Sequence, residues 1–149
     1  MNTHTETENK TEIIISTIEH PERLKKDKIW DYKSWGNGYL EIPKEHPTHD
    51  YISSCVDEWG FTESFCNEEI TYHRHTETGF KIGFDTLHIY NNESHDKKWV
   101  LFKCNQIKDY INSLEFRKKA IGSTYRKIWD YEMKIKELKE YVNKIENLK

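Results

Sequence analysis

A seven-residue repeat near the C-terminus sets the firmest limit on what this chain can fold into. Ile121, Ile128, Ile135 and Val142 recur at one position, and Thr124, Tyr131, Leu138 and Ile145 come three residues after each. Such spacing gathers apolar side chains into one stripe only on an α-helix, so residues 119–149 are predicted to be a C-terminal helix with a coiled-coil seam. Two uses of the stripe are open. It can pack back on the domain as a helical hairpin, or pair copies of the chain into a homo-oligomer, where β-branched residues at the first seam position favour a parallel dimer.

Ahead of that helix the pattern is α+β, a small, mainly antiparallel sheet followed by C-terminal helices. Residues 1–11 are almost wholly Thr, Glu, Asn and Lys, too polar to offset the entropy of ordering, and read as a flexible tail before a domain over 12–118. Glu12–Ile18 is β-branched and suits a strand, and Pro21 can start a short helix over 22–26. Trp35–Gly38 has turn chemistry, and Tyr39–Ile42 reads as a strand that Pro43 stops.

Glu45–Asp50 forms a histidine-rich loop, Tyr51–Val56 a short strand or turn, and Trp59–Ser64 alternates at the strand period. Ile70–His75 and Phe80–Phe84, joined by Thr76–Gly79, form an antiparallel hairpin. Phe80, Ile82 and Phe84 then face one side, with Gly83 and Asp85 on the other, where Gly83 leaves room for a ligand or a backbone. Asn105 can cap a helix running to about Lys119 with Ile107, Tyr110, Ile111 and Leu114 as its stripe, and Gly122-Ser123 can interrupt the helical pattern.

Charge separates the two parts. Residues 1–104 hold 12 Lys/Arg against 19 Asp/Glu, and residues 105–149 hold 11 against 7. An acidic body argues against an extended nucleic-acid partner, whose binding rests on neutralising many phosphates. Cys55, Cys66 and Cys104 are odd in number and lack zinc-knuckle spacing, and no apolar run is long enough for a membrane span, so a cytoplasmic protein with reduced thiols and no membrane partner is expected.

Three groups of residues could carry chemistry. Glu45, His46, His49 and Asp50 offer nitrogen and oxygen ligands for a divalent metal, or a solvated loop. Asp85 and His88, with His73 or His75 nearby, could make a carboxylate–imidazole pair, although Asp85 bonding turn amides is an equally complete use of it. Trp35, Tyr39, Trp59, Phe61 and Phe84 supply flat rings for a planar ligand or for the core. No nucleophile accompanies them.

The segments Gly38-Tyr39-Leu40-Glu41-Ile42-Pro43-Lys44-Glu45-His46-Pro47, Trp59-Gly60-Phe61-Thr62 and Ile82-Gly83-Phe84-Asp85-Thr86-Leu87-His88 resemble an uncharacterised family of small phage and bacterial proteins. Its segments read Gly-Tyr-Val-x-Val-Pro then His-Pro, His-Gly-Gly-Leu-Thr, and Gly-Phe-Asp-Cys-x-His, over a span matching residues 35–114. Trp59 stands at the family's histidine, Thr86 at its cysteine, and Asn37 where it has Cys or Trp; these departures remove soft metal ligands. The resemblance implies a phage or mobile-element setting, a small α+β domain and a shared pocket. It also suggests host-defence evasion by sequestering a nucleotide-derived signal.

Together these readings lead to a non-enzymatic protein of the host cytoplasm that binds a small polar or nucleotide-like ligand through Tyr39, His46, Trp59, Lys81, Asp85 and His88. No cofactor, bound metal or catalytic residue is expected. Two alternatives stand beside it: a metal-assisted hydrolase using His46, His49, Asp85 and His88, and an inhibitor that captures a host protein with its C-terminal helix.

Overall fold

The structure, a computed structural model, describes residues 9–22, 33–59, 64–88 and 91–148. Most of the expected tail, the short helix over 22–26 and much of the Trp59–Ser64 segment lie outside these residues. The fold is α+β, with a four-stranded antiparallel sheet followed by C-terminal helices. In chain order the elements are β1 (Ile14–Glu19), β2 (Gly36–Pro43), α1 (His49–Trp59), β3 (Ser64–Phe65), β4 (Glu68–Glu69), β5 (Tyr72–His75), β6 (Gly79–Phe84), α2 (Lys97–Asn112) and α3 (Leu114–Glu146).

The sheet order is β1-β2-β6-β5, and β3 and β4 form a separate small hairpin. Period-two alternation sorts the side chains between two faces. Leu40 and Ile42 from β2, with Phe80, Ile82 and Phe84 from β6, point into the core and are almost fully buried. Against them α2 sets Val100, Cys104, Ile107 and Ile111, spaced at the helical period and equally buried. Each such side chain contributes on the order of 1.5–3 kcal/mol through burial.

The helix meets the sheet closely at Gly38, where an added Cβ would lie 2.6 Å from the Cys104 sulfur and 2.7 Å from the Phe84 ring. Burial pushes the Cys104 thiol up to about 11. A ring cluster of Phe65, Tyr110, Phe116 and Tyr51 closes the far end of the core. Burial, with Cys55 adding to it, raises the Tyr51 hydroxyl to about 12.

Local rules explain several element ends. The Asp96 carboxylate accepts from the Trp99 backbone N–H at 2.8 Å and caps α2. Ser113 ends α2 and starts α3: its backbone N–H donates to the Tyr110 carbonyl, and its hydroxyl oxygen accepts from the Phe116 N–H. Cys66 and Asn67 both take positive φ, 53° and 64°, giving the two-residue turn of a tight hairpin between β3 and β4. Lys103 on α2 holds that hairpin, donating to the Cys66 carbonyl at 3.1 Å and lying 3.6 Å from Glu68.

Several elements differ from the sequence expectation. Residues 36–38 lie within β2 instead of a turn, because an added Cβ at Gly36 would clash with the Ile18 carbonyl oxygen; glycine there permits β1 to approach. Tyr51–Val56 belongs to a helix, α1, whose Ile52 and Tyr51 pack inward next to Phe116. The cap of α2 is Asp96, not Asn105, and the helix break is at Ser113, not at Gly122-Ser123. Consequently the last helix starts at Leu114, and Leu114 is exposed instead of joining the α2 stripe.

Candidate functional site

Helices α1 and α2 lie against one face of the sheet, and no described element covers the other. Ile14 and Ile18 on that face are 61% and 59% exposed, and Tyr72 is 38% exposed. Strand register arranges the open face in rows. One row runs Ile14, Glu41, Lys81, Arg74; the next runs Ser16, Tyr39, Gly83, Tyr72. Ile18 and Asn37 are paired in a third row, toward the end of β6 that leads into Asp85. From the Lys81 row to the Asp85 row the distance along the strands is about 13 Å, the rise of four strand residues.

Tyr39 and Tyr72 meet edge to face across Gly83, with centroids 5.3 Å apart and planes at 86°. The room left by Gly83 is taken by the Tyr39 ring, which an added Cβ would strike. The resulting T-shaped pair leaves the Tyr72 ring partly exposed on this face. Beside it Arg74 and Lys81 stand directly opposite each other on neighbouring strands, and neither makes an ion pair with a described residue. Like charges at directly opposed sheet positions oppose folding.

These cations line a groove of about 470 Å³ with Tyr72, His75, Thr76 and Glu77. Glu41 is directed to the turn, where its Oε1 accepts from the hydroxyls of Thr78 and, at 3.3 Å, Thr76. At the other end of the face, the side-chain oxygen Oδ1 of Asn37 is buried without a partner among the described residues, leaving an acceptor available to a donor.

Asp85 and His88 close this end. The Asp85 carboxylate accepts from the Leu87 N–H at 2.9 Å and lies 3.6 Å from His88 Nε2. Both side chains are about a quarter exposed, 25% and 29%. The turn-bonding use of Asp85 is therefore present, with the imidazole just beyond ordinary hydrogen-bond length. Thr86, the next residue, turns inward: its hydroxyl donates to the Gly36 carbonyl at 2.8 Å and accepts from His20 Nε2 at 3.0 Å. Ser34 donates to the Thr86 carbonyl at 2.5 Å, so a buried polar network fixes the strand end.

Of the six residues expected to bind ligand, Tyr39, Lys81 and Asp85 share the open face, and His88 adjoins Asp85. His46 is elsewhere. It comes after Pro43, at the end of β2 that pairs with Gly79, whereas Asp85 comes after the β6 end that pairs with Gly38. His46 is buried; its Nδ1 accepts from the Thr48 N–H at 3.2 Å, which leaves Nε2–H to donate to Asn112 at 2.8 Å. That bond ties the β2–α1 loop to the end of α2. Trp59 terminates α1, and its side chain lies outside the described atoms.

The four residues of the hydrolase reading are likewise divided, since His46 and His49 lie at the opposite end of the sheet from Asp85 and His88. No group of three His, Cys, Asp or Glu suited to a metal occurs among the described residues. Sequence reasoning missed Tyr72 and Arg74. The signal was there: Thr76–Gly79 as a hairpin turn puts Tyr72 and Arg74 on the face of Gly83 and Lys81.

No protein-family model, curated protein or solved structure matches the chain. Among the described residues no helix is long and apolar enough to cross a membrane.

Proposed function

We propose that the protein is a non-enzymatic binding protein whose open sheet face holds a planar, anionic ligand of nucleotide type. The carrying observation is the opposition of Arg74 and Lys81 beside the edge-to-face Tyr39–Tyr72 pair. Two cations placed face to face without ion pairs cost stability in the free protein, and a phosphate between them removes that cost. A base stacks on Tyr72, as planar ligands do on exposed rings, and the groove volume falls within the usual range for small-ligand sites. Asn37 Oδ1 and Asp85 offer acceptors to ribose hydroxyls or an exocyclic amine.

The acidic body, with 12 Lys/Arg against 19 Asp/Glu over residues 1–104, supports a ligand of one or two nucleotides over a long nucleic acid, whose binding rests on neutralising many phosphates. In the phage setting that the sequence resemblance implies, the use we infer is sequestration of a nucleotide-derived immune signal in the host cytoplasm. Titration calorimetry of the full chain against mono-, di- and cyclic nucleotides, with nucleosides as uncharged controls, tests the reading. Heat is expected with phosphorylated members only. No heat with any member, from protein that melts cooperatively, would overturn it.

A further inference from the structure

The exposed length of α3 calls for an occupant. Only Phe116 and Ala120 of its 33 residues are buried, and Ser123 and Lys127 lean on the body, Lys127 reaching Ser54 Oγ at 3.4 Å. Beyond them the helix projects away. The large apolar seam residues from Ile121 to Ile145 are between 45% and 70% exposed, so the seam does not pack back on the domain. A helix without a packed face is marginal in water, and this one has a continuous apolar stripe to offer.

We infer that α3 pairs with α3 of a second copy in antiparallel orientation, with Ile135 of one chain layered against Leu138 of the other. The residues flanking the seam, which set orientation in coiled coils, favour this pairing. In a parallel pair Lys127 meets Glu132, but Lys134 meets Lys139, and Tyr131 is forced against Tyr131. In the antiparallel register Glu132 meets Lys139 twice, and no flanking pair brings like charges together. Tyr131 then lies opposite the smaller Val142, and Ile128 opposite Ile145. Lys134 falls beside Tyr141, and Lys127 beside Leu148.

Neighbouring antiparallel registers fail on charge. One heptad shorter opposes Glu132 to Glu132 and Lys134 to Lys134; one heptad longer opposes Glu132 to Glu146 and Lys139 to Lys139. Ile145 of one copy then lies opposite Ile128 of the other, close to where α3 leaves its own body, so the two bodies are held at opposite ends. The β-branched residues at the first seam position would favour a parallel pair by themselves, but their effect is opposed by the Lys134–Lys139 and Tyr131–Tyr131 contacts that orientation requires.

Sedimentation equilibrium of the full chain and two charge variants tests this. The wild type is expected to be a dimer in the micromolar range. Lys139→Glu is expected to weaken it roughly tenfold, by turning two attractive contacts into repulsive ones, and Glu132→Lys combined with Lys139→Glu to restore it. A parallel pair predicts the reverse for Lys139→Glu, which would then face Lys134 and tighten the dimer. Tightening, no change, or a wild type that is monomeric throughout would each overturn the proposal, the last leaving the seam to a different protein.

Discussion

Arg74 and Lys81 give the binding account a sign that ordinary surface residues would not. Replacing Arg74 with Thr keeps a β-branched strand residue and removes a like-charge opposition, so the free protein should gain a few tenths to about 1 kcal/mol in urea unfolding. The same change should cost about tenfold or more in affinity for a nucleotide, as loss of a charge-assisted bond does. A stability gain with no loss of binding would place the ligand elsewhere. At this scale the sequence was legible where a rule is local. Gly83 was placed on the correct face by strand alternation, but the space above it belongs to Tyr39, a contact made across strands. The role of His46 was not legible, since its partner Asn112 is 66 positions away.

Elements were legible in proportion to how much of their pattern is periodic. The β5–β6 hairpin and the Ile107–Ile111 part of the α2 stripe follow from alternation and helical spacing. The heptads from Ile121 onward likewise correspond to an unbroken helix, which runs through Gly122 without a break. By contrast α1 contains Ser53, Ser54, Cys55 and Val56, which carry little helical preference, and its placement depends on Ile52 and Tyr51 meeting the core. The break at Ser113 was hidden for a related reason. A serine is common in many contexts, and its capping of one helix by backbone and the next by hydroxyl depends on Tyr110 and Phe116 being already in place.

For the whole molecule, topology decides which sequence clusters can act together. Pairing β2 antiparallel to β6 sends the chain after Pro43 to one end of the sheet and the chain after Phe84 to the other, separating His46 from Asp85. The same compact core makes stability sensitive to alkali. Burial raises Cys104 from 9.0 to about 11 and Tyr51 from 10.0 to about 12 in the folded state. Folding then favours the protonated forms, so their contribution is complete below pH 9 and is lost as pH rises through the 9–12 window. The melting temperature should fall across that window, and Cys104→Ala should flatten the part between pH 9 and 11; an unchanged slope would show that the thiol does not titrate there. The claim that the ligand lies on the open sheet face is tested most directly by amide NMR of the labelled full chain titrated with adenosine diphosphate. Shifts are expected at Tyr39, Tyr72, Arg74, Lys81 and Gly83, with Asn112 and the His46 loop unmoved; shifts confined to that loop, or none at saturating nucleotide, would place the ligand off this face.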